Sequence, residues 1–195
     1  MARSKGLIFL LGFLFLAIFL GYFLINVNPN YPKPTNMSSE ITKGDLHWID
    51  YVSPNKVFSV KFPNLPQTTS KMIVDPETKE KRNYEVYVSQ KGDVVYLINR
   101  ISFPEMKSAE KDDEILMEVA NDMMTKHPEN KLIKTQAGKF KGNPSLTFSL
   151  ASDKVEIDAL TFINNKSIYV LTRIAPKELA VKGEFEYFIN SFELK

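Results

Sequence analysis

The sequence predicts an α+β protein: a largely antiparallel β-sheet of about seven strands with flanking helices, preceded by one N-terminal transmembrane helix. Three observations predict it. Gly6 to Val27, GLIFLLGFLFLAIFLGYFLINV, is an uncharged apolar run. The rest of the chain repeatedly alternates apolar and polar residues between clusters of turn formers, and it changes to helical spacing near Ser108.

Leu7 to Val27 as a helix would reach about 31 Å at about 1.5 Å per residue, matching a hydrocarbon core of about 30 Å. Gly12 and Gly21 are tolerated because lipid leaves a helix no other hydrogen-bonding partner. Arg3 and Lys5 precede the run, and the first positive charge beyond it is Lys33, so the N-terminus is expected in the cytoplasm and the following domain outside. The run is longer than a secretory h-region and no A-x-A-like site follows, which favours an uncleaved signal anchor; the alternative is secretion after cleavage. Without cysteine there is no lipid-modified cysteine anchor. The expected organisation is a cytoplasmic N-terminus over residues 1–5, an anchor over 6–27, a proline-containing tether over 28–46 and an extracytoplasmic domain over 47–195. Pro29, Pro32 and Pro34 favour an extended, semi-rigid start to the tether.

The domain begins with HWIDYVS at His47. Phe58, Val60 and Phe62 then alternate with Ser59 and Lys61, a half-buried strand that Pro63 ends. TTSKMIVD, a polar DPETKEK turn, NYEVYVSQ, a Lys91-Gly92-Asp93 turn and VVYLINRISF read as an antiparallel meander. Ile115, Leu116, Val119, Ala120, Met123 and Met124 form the apolar stripe of a helix from Glu110 to Lys126, stopped by Pro128. Strands resume with KLIKTQA, PSLTFSLAS and KVEIDALTFI, the last joined through Asn164-Asn165 to KSIYVLTRIA as a hairpin. A final helical stretch is expected within Pro176 to Phe192, interrupted or started afresh at Gly183, with Phe185, Phe188, Ile189 and Phe192 as its stripe.

The opening SPNKVFSVKFPNLP, the meander, the single central helix, the hairpin and the closing FEYFINSFELK together resemble the PsbP-like family, over roughly Trp48 to Leu194. Phe58, Val60, Phe62 and Pro63 match the family's start, and Phe188, Ile189, Ser191 and Phe192 its end. The resemblance implies a compact α/β/α sandwich acting as a binding or assembly factor, not an enzyme. The anchor in place of a cleaved transit sequence departs from the photosynthetic branch.

Composition narrows function by exclusion. Setting aside Arg3 and Lys5, the chain has 23 basic and 23 acidic residues, which leaves no electrostatic footprint for nucleic acid. With no cysteine, stability rests on burial without disulfides. There is no G-x-S-x-G, G-x-G-x-x-G or P-loop, and the Gly138-Lys139 of AGKF stands without the rest of a phosphate motif. His47 and His127 are the two histidines, and neither has a further ligand at metal spacing. His127 is read as a helix C-terminal dipole partner and His47 as an exposed residue entering the first strand. Glu114, Glu118 and Asp122 step by four along the central helix beside Asp112 and Asp113, which reads first as a solvated face and second as an attraction for calcium or a basic partner. Lys126, Lys131, Lys134, Lys139 and Lys141 form a basic stretch, read as surface lysines or as a contact for anionic lipid or an acidic partner. Asp50 with Glu85 is a carboxylate pair that only a fold can bring together. Asn36-Met-Ser38 and Asn165-Lys-Ser167 are sequons. Trp48, the only tryptophan, is expected to pack the first strand against the sheet, with a membrane-proximal contact for a partner as the alternative.

The expectation is a non-catalytic, membrane-anchored extracytoplasmic module that binds a protein partner, with no catalytic residues, metal or cofactor assigned. A small-molecule or lipid carrier is the alternative, and an envelope hydrolase using carboxylates the second.

Overall fold

The structure is a computed structural model describing residues 47–74, 79–104, 112–126, 129–181 and 183–195. The expected anchor, its tether, His127 and Asn36 lie outside the described residues. Among the described residues no helix is long and apolar enough to cross a membrane.

The chain runs β1 (Ile49–Val52), β2 (Phe58–Phe62), β3 (Gln67–Val74), β4 (Lys81–Lys91), β5 (Val94–Ser102), α1 (Asp112–Lys126), β6 (Lys131–Phe140), β7 (Asn143–Ala151), β8 (Val155–Asn164), β9 (Ser167–Pro176), a 3₁₀ turn (Lys177–Leu179), α2 (Glu184–Asn190) and β10 (Glu193–Leu194). Seven strands make one antiparallel sheet in the order β3-β4-β5-β9-β8-β7-β6. Two meanders, β3 to β5 and β6 to β9, meet where β5 pairs with β9. The connection carrying α1 takes the chain from the middle of the sheet to its far edge.

Alternation along β5 shows why both faces are covered. Val95, Leu97 and Ile101 point to one core cluster, and Val94, Tyr96 and Ile98 to the other. The first cluster is closed by Leu116, Val119, Ala120 and Met123 of α1, the stripe expected from the sequence. Because it lies under cover on both sides, β9 is buried over all of Ser167 to Ala175, a near-continuous apolar run of the kind that two-sided burial demands.

The second face departs from the expected α/β/α sandwich. It is covered by a separate three-stranded sheet in the order β1-β2-β10, together with the seven-residue α2. Phe58 and Phe62 are fully buried there, while Ser59 and Lys61 turn outward. The closing helix lies within the Pro176 to Phe192 stretch, as expected, and occupies its second half. Of the two readings at Gly183 the fresh start is the one observed: with φ of 89° it takes the left-handed region that favours glycine. The helix then ends at Asn190, because the Ser191 hydroxyl donates to the Phe188 carbonyl (2.7 Å) and accepts from the Lys61 amide (3.0 Å). This link turns the last residues into β10 and places Phe192 in the core as an extended residue.

Aromatic rings dominate this layer. Phe162 and Tyr169, directly opposite in β8 and β9, stack at 4.9 Å. Trp48 meets Tyr96 and Tyr187 edge-on at 4.8 and 5.2 Å, so it packs the first strand against the sheet as expected.

Burial, reinforced by Glu85 and by Glu184 respectively, holds the Tyr87 and Tyr96 phenols above their ordinary range; burial also raises Tyr169. Each phenol therefore keeps its proton in the folded chain after the unfolded chain has lost it. Raised folded values give a stabilisation that is complete below about pH 10 and shrinks as pH rises past it, by at most about 1.4 kcal/mol per pH unit for each such tyrosine. Of the eight tyrosines, these three should ionise only together with loss of circular dichroism, as a late step in the phenolate absorbance of an alkaline titration. Ionisation of all eight near pH 10 with the fold intact would contradict this.

Candidate functional site

The structure scatters most residues singled out in the sequence. Glu114 and Glu118 are exposed and Asp122 half-buried on α1, and among the described residues no three His, Cys, Asp or Glu side chains are grouped to hold a metal ion. Asp112 is shifted up, by burial first and by the neighbouring Asp113 second. His47 is exposed just before β1. Asp50 and Glu85 are engaged separately: Lys61 donates to Asp50 at 2.7 Å across β1 and β2, and Glu85 belongs to a different network. Gly138 and Lys139 lie inside β6 and form no loop. The second sequon sits at the β8–β9 turn, where Asn165 is exposed with φ of 52° and Ser167 is buried.

Two partly buried charged clusters that sequence patterning does not reveal tie the aromatic layer together. In the first, Asp158 and Arg173 face each other across β8 and β9. Arg173 donates through Nε (3.1 Å) and Nη2 to Asp158 Oδ2 and through Nη1 to the Val181 carbonyl (2.9 Å), while the Ser149 hydroxyl donates to Asp158 Oδ1 at 2.7 Å. Nearby, the buried Glu184 carboxylate accepts from Tyr96 at 2.7 Å and from Lys91 at 3.1 Å. These contacts fasten the 3₁₀ turn and α2 to the sheet. They border a concavity of about 150 Å³ lined by Glu156, Asp158, Arg173, Ala180, Val181, Gly183, Phe185 and Glu186. In the second cluster Arg100 reaches Glu85 (2.8 Å), the Tyr169 hydroxyl (3.2 Å) and the Ser167 hydroxyl (3.1 Å), and Asn55 of the β1–β2 turn donates to Glu85 at 3.0 Å. Each carboxylate is held by cations, hydroxyls or amides from other elements, a pattern suited to structural ties.

The outer edge of the sheet is different. Lys131 to Lys139 of β6 is exposed at every position, on both faces, because neither covering layer reaches it. Leu132 is 42% and Ile133 66% exposed, and a register shift against β7 falls between Leu132 and Lys134. The basic stretch resolves into parts. Lys131, Lys134 and Lys139 lie along β6, whereas Lys141, in the β6–β7 turn, pairs with Glu193 at 2.6 Å. The clue available in the sequence was the ten-residue strand KLIKTQAGKF, which has no acidic residue and little alternation. Its place at the edge was not available.

The seven-stranded antiparallel sheet, with a helix on one face and a small sheet plus helix on the other, is similar in fold to a solved PsbP structure. The solution structure of the cyanobacterial PsbP from Synechocystis sp. PCC 6803 matches with a TM-score of 0.53 and 12% sequence identity, over 85% of this chain and 100% of that one. At that identity the likeness is one of fold. Two further structures are more distant: a protein of unknown function from Pseudomonas aeruginosa (TM-score 0.36, 9% identity, 67% of this chain and 84% of that one) and one from Bacteroides thetaiotaomicron (0.34, 11%, 75% and 48%). No family model and no curated protein matches the chain.

Proposed function

We propose that this chain is a membrane-anchored extracytoplasmic module that binds a protein partner, with its activity in recognition and assembly and not in catalysis. The address comes from the uncharged run Gly6 to Val27 and the basic residues Arg3 and Lys5 before it. The observation that carries the binding role is β6, a long sheet edge exposed on both faces with two adjacent large apolar side chains, Leu132 and Ile133, in water. The concavity beside Arg173, at about 150 Å³, is smaller than the roughly 300–1,000 Å³ of ordinary ligand clefts, so this concavity is not the basis of the reading. Purification of the full chain from native membranes in mild detergent should bring a partner protein in constant ratio. Recovery as a lone monomer, with crosslinking equally empty, would overturn the proposal.

A further inference from the structure

We propose that β6 is the docking edge for an extended, acidic segment of the partner, which adds to the sheet as an eighth strand. This rests on the reading of the chain as a partner-binding module and names the chemistry of what it binds.

The backbone supplies the first reason. Among the described residues β6 pairs with β7 alone, so the N–H and C=O groups along its other side have no strand to bond. Edge strands in stable domains are commonly short, interrupted by proline or covered. This one has ten residues, no proline and exposed side chains on both faces.

Charge decides what can pair with it. Lys131, Lys134 and Lys139 are its only ionisable side chains, and none of them forms an ion pair among the described residues, whereas the neighbouring Lys141 does. Two copies of β6 laid antiparallel would bring their lysines together with no acid between them, so a second copy is repelled. The same lysines attract an acidic strand, so one set of charges excludes the wrong partner and selects the right one. The register places charge on both faces. Lys131 and Lys134 lie opposite Ala151 and Ser149, on the face of the aromatic layer, and Lys139 lies opposite Pro144, on the face of α1. At the bulge, Leu132 faces the α1 side opposite Leu150, and the extra residue Ile133 stands free of the ladder, an apolar anchor at one end of the row.

The test uses the full chain in mild detergent and a fluorescent decapeptide of alternating glutamate and valine. Saturable binding is expected, weakening with salt, falling about tenfold or more in the K131E/K134E/K139E variant, and transferring in that variant to a lysine and valine peptide. All three positions are exposed, so the variant should fold. N-methylation of alternate peptide residues should abolish binding for one set and spare it for the other, since a strand bonds its neighbour through every second residue. Equal effects of the two sets, equal binding of the lysine peptide to the unaltered chain, or no binding would overturn the proposal. So would loss of self-association or of anionic-vesicle binding in the triple variant without any effect on the peptide. In native membranes a photocrosslinker at Gln136 on β6 should yield a partner adduct. Adducts only from Ser70, on the opposite edge strand β3, would overturn the β6 assignment and leave the partner-binding reading intact; a lone monomer with no adducts from either position would overturn both.

Discussion

Phe188→Ala should lower the unfolding free energy by about 3–5 kcal/mol, the range for removing a buried phenylalanine from a close-packed core. Phe188 is fully buried, with Tyr96 at 5.4 Å, Phe62 at 5.5 Å and Trp48 at 6.2 Å between ring centroids. It therefore joins α2, the small sheet and the seven-stranded sheet at one point. The rings around it are held by different elements and cannot all collapse into the space left. The loss is a large share of the about 5–15 kcal/mol that holds an ordinary domain together. Urea unfolding of the full chain in mild detergent, followed by Trp48 fluorescence, measures it, since Trp48 reports from the same cluster. A loss below about 1 kcal/mol would mean that the aromatic layer is not the stabilising core described here.

Arg173→Ala should cost at most a similar amount, for a different reason. The Asp158 carboxylate would stay largely out of water, with only the Ser149 hydroxyl to answer its charge, and breaking one side of a fully buried pair costs about 3–5 kcal/mol, an upper bound for this partly buried one. The Val181 carbonyl would lose its donor as well, loosening the segment that leads into α2. Replacing both partners, as Asp158→Leu with Arg173→Met, should recover most of that loss, because no unpaired charge remains. Chemical unfolding of both single variants and the double variant forms the cycle. A double variant as unstable as the sum of the singles would show that the two side chains stabilise the fold independently.

The layers of the fold were legible in the sequence to different depths. The central strands and α1 could be read because burial writes a period into them: Phe58, Val60 and Phe62 by twos, Leu116, Val119, Ala120 and Met123 at helical spacing. The small sheet could not. β10 is two residues long, too short to carry any period, and its pairing with β2 depends on the Ser191 contact to Lys61 from a distant part of the chain. The Asp158–Arg173 tie was missed through a one-residue placement. A turn at Asn164-Asn165 sets Asp158 opposite Leu171, whereas the observed turn at Asn165-Lys166, with Asn164 paired to Ser167, sets it opposite Arg173. Two charges at mirror positions in otherwise apolar strands were the available signal. The lysines of β6 were visible as a group, but a row of lysines reads alike on a covered strand's rim and on a free edge. Only the strand order separates the two.

If the domain meets a protein partner outside the membrane, a membrane-impermeant crosslinker applied to intact cells of the native host will capture the pair. The full chain should be labelled on residues between His47 and Lys195 and joined to one recurring partner protein. A chain that stays unlabelled until the cells are broken, or that is labelled fully and never joined to another protein, would contradict it.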